Sequence, residues 1–161
     1  MGVGAVADVA VLEQGKIGDG RSGMAQAEID WEGSFVNNFL EEESRERALF
    51  LLRSPKKRRD FFQKVQPIAD YRIDVPRKEA LAIEEILKRY GAKDNCYAIS
   101  WDSTLDKKIV SLAEGLEHGY RAWETFLIFT EKLVLWLPDS GMHYPETIIL
   151  FRGKLTQKDR E

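Results

Sequence analysis

The rhythm of hydrophobic positions in this chain changes once, near Gly91. Before it, apolar residues recur at helical spacing. Phe35, Val36, Phe39 and Leu40 share one helical face, with Ser34 as a candidate N-cap, and Ala48, Leu49, Leu51 and Leu52 follow. The pattern predicts a helix over about 35–52 with a break near 41. Ser54-Pro55 then punctuates the chain, because proline fits the first helical position, where its missing N–H costs nothing. Phe61, Phe62, Val65 and Ile68 form the stripe of a second helix over about 55–66. A third helix is marked at its start by Asp74 and Pro76. It carries Ile83, Ile86, Leu87 and Tyr90 at i, i+3, i+4, i+7, and Gly91 ends it in the left-handed conformation that glycine adopts freely.

After Gly91 the period becomes that of strands. Cys96 to Trp101 alternates, placing Tyr97, Ile99 and Trp101 on one face. Ser111 and Glu114 match a capping box for a short helix closed by Gly119. Two continuous apolar runs, Thr125–Thr130 and Leu133–Leu137, are separated only by Glu131-Lys132 and read as a hairpin without the usual Asn-Gly turn. Thr147–Phe151 is a last strand. The predicted fold class is α+β: three N-terminal helices, then a small, mostly antiparallel sheet of about four strands with one inserted helix and helices over one face.

Residues 1–27 lack a sustained period and read as a tail, 28–155 as one α+β domain, and 156–161 as a polar C-terminal tail. Met24 opens a stretch that reads better as a protein start than Met1 does. No apolar run approaches the roughly 18 residues of a membrane span, and the N-terminus lacks the basic region of a signal peptide. A single cysteine, Cys96, cannot form an internal disulfide. On these features the cytoplasm is the expected location.

Charge adds one feature. The chain is mildly acidic, with net charge −3 and pI near 5.6, yet residues 53–64 hold six cations (Arg53, Lys56, Lys57, Arg58, Arg59, Lys64) against Asp60. One reading is a nucleic-acid-binding helix, since clustered cations neutralise phosphates without a sequence code. The other is the solvated face of a helix whose Phe61 and Phe62 serve the core, and the acidic pI favours it.

Candidate chemistry is sparse. Cys96 with His118 or His143 lacks any signature of a catalytic pair, and a lone cysteine behaves as a small buried hydrophobe. Asp102 and Asp106 follow a strand, so an enzyme using Asp102, Asp106 or His143 is a second alternative. However, Asp102-Ser-Thr better fits a turn in which Asp102 bonds its own backbone. One Cys and two His cannot make a structural zinc site. No glycine-rich phosphate loop appears, and no cofactor is called for. Trp101, Trp123, Trp136, His143 and Tyr144 are the residues best suited to a protein interface, because interface centres favour aromatic side chains. Strands as apolar as FLIF and LVLWL must be covered, either by this chain or by another. The expected function is therefore a small non-catalytic module that binds a protein partner or a second copy of itself.

Overall fold

A computed structural model describes residues 29–76, 78–138 and 146–153. The predicted tails at 1–27 and 156–161, and the loop holding His143 and Tyr144, lie outside the described residues. The fold below concerns the chain from Trp31 onward.

The first predicted helix is two helices, α1 (Trp31–Phe39) and α2 (Glu42–Arg53). The break falls where it was expected, and the Arg45 Nε–H donates to the Leu40 carbonyl at 3.1 Å. Ser34, the candidate N-cap, lies inside α1, where its carbonyl accepts from the Asn38 amide at 2.8 Å. The second predicted helix is mostly turn. Bonds from Lys57 N–H to Ser54 O, Asp60 N–H to Lys57 O and Phe61 N–H to Arg58 O run three residues back, and only α3 (Asp60–Lys64) is α-helical. The third begins later than Pro76. Arg72–Asp74 forms an edge strand, β1, and the Val75 N–H continues the pairing by donating to Thr147 O at 2.9 Å. Helix α4 is left with Ile83–Arg89 after a 3-10 turn at Ala80–Ala82. Its end is as predicted: Gly91 has φ +104°, its N–H donates to Lys88 O, and Ala92 N–H donates to Leu87 O, so these two terminal carbonyls are satisfied.

The sheet has six strands rather than about four. To β1 are added β2 (Asn95–Ser100), β3 (Ile109–Ser111), β4 (Thr125–Thr130), β5 (Leu133–Leu137) and β6 (Ile148–Phe151). Their order is β1-β6-β5-β4-β2-β3, and every neighbouring pair is antiparallel. The two strands missed by periodicity are the edges, β1 and β3, each of three residues. A segment that short holds too few alternations to be seen, and short edges also resist pairing with foreign strands. Helix α5 (Leu112–Gly119) is the inserted helix, and the Ser111 hydroxyl accepts from Glu114 N–H at 3.1 Å, as its capping pattern predicts.

Alternation sorts each strand between two cores. Tyr97, Ile99, Phe126, Ile128, Val134, Trp136, Ile148 and Leu150 face α1, α2 and α3. Cys96, Ala98, Leu127, Phe129, Leu133, Leu135, Leu137 and Ile149 face the side that holds α4 and α5. The β4–β5 register shifts between Ile128 and Thr130, and alternation keeps Phe129 and Leu133 with Leu127 and Leu135 on the second core. The expectation of helices over one face is thus corrected: this chain covers both. The central strands β4 and β5 are continuously apolar because neither of their faces meets water.

Candidate functional site

The structure divides the basic run. Arg53, Lys56, Lys57, Arg59 and Lys64 are exposed, whereas Arg58 is only 6% exposed. Its guanidinium spends all five of its N–H donors inside the protein. Nε donates to Asp106 Oδ2 at 2.7 Å and Nη2 to Asp106 Oδ1 at 3.0 Å. Nη1 and Nη2 form a second fork on Glu32, and Nη1 also donates to the Leu52 carbonyl at 2.7 Å near the end of α2. Tyr97 extends the network by donating its hydroxyl proton to Glu32 at 2.7 Å, and Asp106 accepts the Ser100 backbone N–H at 2.9 Å. Burial alone would favour a neutral guanidine. The bonds to Glu32 and Asp106 outweigh it and hold the Arg58 pKa above its usual value. Burial, and then the Glu32 carboxylate, push the Tyr97 phenol up as well.

Arg58 is therefore removed from the nucleic-acid candidates, because a phosphate would have to displace two bidentate carboxylates to reach it. Its place in the sequence carries a signal of burial. Arg58 precedes Phe61, Phe62 and Val65 by three, four and seven residues, so it stands on their buried stripe. Glu32 and Tyr97 gave no comparable signal, since their partner is distant in sequence.

The carboxylate candidates have structural tasks. Asp106 serves Arg58. Asp102 Oδ1 accepts from Thr104 N–H at 2.9 Å and from its hydroxyl at 2.8 Å, which is the predicted turn, and these two bonds lower the Asp102 pKa. Cys96 is buried, its Sγ lies 3.7 Å from Val110 O, and burial pushes the thiol up to about 12, so it is not poised as a nucleophile. Among the described residues, no three His, Cys, Asp or Glu side chains converge where a metal ion could sit, and no helix is long and apolar enough to cross a membrane.

The aromatic candidates also separate. Trp136 is buried in the first core, stacked on Phe126, with its Nε1–H donating to Glu124 at 3.3 Å. It cannot touch a partner, which corrects its place among the interface residues. Trp101 is half-buried on Phe62, and Trp123 is 63% exposed. Trp101 and Trp123 stack at 5.9 Å with 19° between their planes. The Arg59 guanidinium lies 4.7 Å from the Trp101 ring centroid, and its Nη2–H donates to the Trp101 carbonyl at 3.2 Å. Pro55, Lys56, Arg59, Trp101 and Ser103 line a small cleft of about 180 Å³, floored by Arg58 and Asp106. The structure thus brings together Lys56, Arg59, Trp101 and Trp123, which belonged to two separate sequence-based sets.

No protein family matches the chain, and neither a curated protein nor a solved structure is similar to it.

Proposed function

We propose that this protein is a small, non-catalytic interaction module of the cytoplasm, and that its working surface is the stack Arg59–Trp101–Trp123 with Lys56 beside it. The observation that carries this reading is Trp123, a large indole 63% exposed yet held in place by stacking on Trp101. An exposed ring that is already ordered loses little conformational freedom on binding, and Trp and Arg are the side chains that most often dominate interface energetics. Both sheet faces are covered by this chain's own helices, so self-association is expected through the tryptophan surface rather than through the sheet.

The test is selection of displayed random peptides on the wild-type protein, with sedimentation to score self-association. Peptides whose binding falls about tenfold on Trp123→Ala, a loss of about 1.4 kcal/mol, are expected. Binders indifferent to Trp123→Ala, Arg59→Ala and Lys56→Ala, in a monomeric protein, would refute the reading.

Nucleic-acid binding is the second reading, favoured by one feature: a cation stacked on a tryptophan next to an exposed tryptophan also suits an unpaired base. Labelled mixed-sequence DNA and RNA should then bind with affinity that falls steeply with salt. Absence of binding at low salt excludes it.

A further inference from the structure

We infer that the partner recognised at the Arg59–Trp101–Trp123 surface is an acidic protein segment, with carboxylates that flank one aromatic or large aliphatic residue. This inference rests on the reading of that surface as a protein-binding site and names the chemistry of what it takes.

The argument is one of charge and extent. The chain as a whole is acidic, at −3. The one cation of the basic run that is buried, Arg58, is matched within the protein by Glu32 and Asp106. The other cations of the run remain at the surface, and Lys56 and Arg59 share one cleft with Trp101. Carboxylates of a partner would meet these cations, while an apolar partner side chain covers the exposed face of Trp123. Water exclusion by that side chain strengthens the flanking ion pairs, which would be weak if left fully exposed. Within the basic run a second cation–ring pair, Lys57 over Phe50 at 5.4 Å with Phe50 58% exposed, lies toward α2 and offers a second point of the same character.

A nucleic acid fits less well because the positive surface is short. Phe50 and Arg53 share their groove with Glu46, Asp102 follows Trp101, and Glu124 follows Trp123. A backbone with a charge at every nucleotide would run from the cations onto these carboxylates, whereas a peptide can place its charges only where they are matched. Among the described tryptophans only Trp123 is exposed, enough for one side chain but not for a track of stacked bases.

The experiment uses the full chain and fluorescence anisotropy with three probes: a short peptide with a tryptophan between glutamates, the same peptide with glutamines, and single-stranded DNA of mixed sequence. The expected result is that the glutamate peptide binds about tenfold more tightly than the glutamine peptide at low salt. That preference should disappear in the Lys56→Ala/Arg59→Ala variant. Binding of both peptides should drop on Trp123→Ala, with unchanged thermal unfolding showing that the variants are folded. Equal, Trp123-dependent binding of both peptides overturns the acidic preference and leaves the protein-binding reading standing. Absence of binding by either peptide overturns the inference, and the peptide selection then judges the surface independently. DNA that binds more tightly than the glutamate peptide, through the same three residues, overturns both.

Discussion

The two sides of the sheet are built on different principles. The side under α1, α2 and α3 is aromatic: Phe35, Phe39, Phe61, Phe62, Phe126 and Trp136 meet ring against ring, with Phe35 and Phe126 centroids 4.9 Å apart. It also carries the buried ion network of Arg58, Glu32 and Asp106. The buried side chains under α4 and α5 are mainly aliphatic, Leu, Ile, Val, Ala and Cys96 with Phe129, while Tyr90, Tyr120 and Phe151 pack half-buried against them, and this side has no comparable ion network among the described residues. There α5 approaches the sheet through glycines. A Cβ on Gly115 would lie 3.1 Å from Leu127 Cδ1, and one on Gly119 only 2.8 Å from Leu137 Cδ1. On the first side the polar groups at the margin of the rings are charged, as Arg58, Glu32 and Asp106 are. Small residues let α5 close tightly on the sheet, and the polar groups on this side are uncharged: Ser100 and Thr125 share a hydrogen bond at 2.7 Å, and Tyr120 and Thr147 share one at 3.1 Å. The exposed tryptophan and the surface cations border the first side, which is where a partner would be met.

The largest expected effect separates the sides most sharply. Arg58→Met should destabilise the protein by about 3–5 kcal/mol, because it leaves two mostly buried carboxylates without a partner. Adding Glu32→Gln and Asp106→Asn should recover part of the loss. Urea titrations of the single and triple variants decide this, and a triple variant no more stable than the single would show that the cost comes from packing instead. Next, Phe126→Ala and Leu127→Ala are neighbours on β4 that face opposite cores. Each should cost about 2–5 kcal/mol, with the phenylalanine toward the upper end because the cavity is larger. Equal midpoints for the two would mean that the aromatic core collapses as easily as the aliphatic one. Gly119→Ala should then cost about 1–3 kcal/mol by overpacking against Leu137, with Gly115→Ala nearer the lower value.

Cys96 adds a pH test to the aliphatic side. Its folded pKa is raised to about 12 by burial and, secondarily, by Glu114, against an ordinary value of 9.0. The unfolded thiol therefore ionises first. The stability contributed by the neutral buried thiol is complete below pH 9 and is lost as pH rises toward 12. Between pH 8 and 11 the wild type should lose stability more steeply than Cys96→Ala, as read from denaturant midpoints. Parallel curves would mean that the thiol is not held neutral. Smallest of all, Trp123→Ala should change stability by no more than about 0.5 kcal/mol, because its indole is mostly in water already. A larger loss would make it part of the core's support rather than a docking residue.

Periodicity identified what depends on local chain geometry. The paired strands β4 and β5, the face shared by Tyr97, Ile99 and Trp101, the Ser111 cap, the Gly91 terminus and the burial of Phe61 and Phe62 were all legible. Each rests on residues within a turn or two of one another. Three-residue edge strands were not legible, because their identity comes from the neighbour they pair with. The site was half legible. Trp101, Trp123, Lys56 and Arg59 were each named, but their union depends on the segment before α3 lying against the loop after β2.

The sequence by itself determined the α+β class, the change of period at Gly91, and the need to cover strands as apolar as FLIF and LVLWL. Only the tertiary structure decided what covers them. It placed helices from the same chain on both faces, paired the buried Arg58 with Glu32 and Asp106, and buried Trp136 while exposing Trp123. The physical reason is common to all three. Hydrophobic spacing says which residues must leave water, but the partner of a buried charge, and the ring left exposed when a core closes, depend on contacts between segments far apart in the chain. Glu32, Arg58 and Asp106 are such a case: separated by 26 and 48 residues, they meet only when the fold is complete.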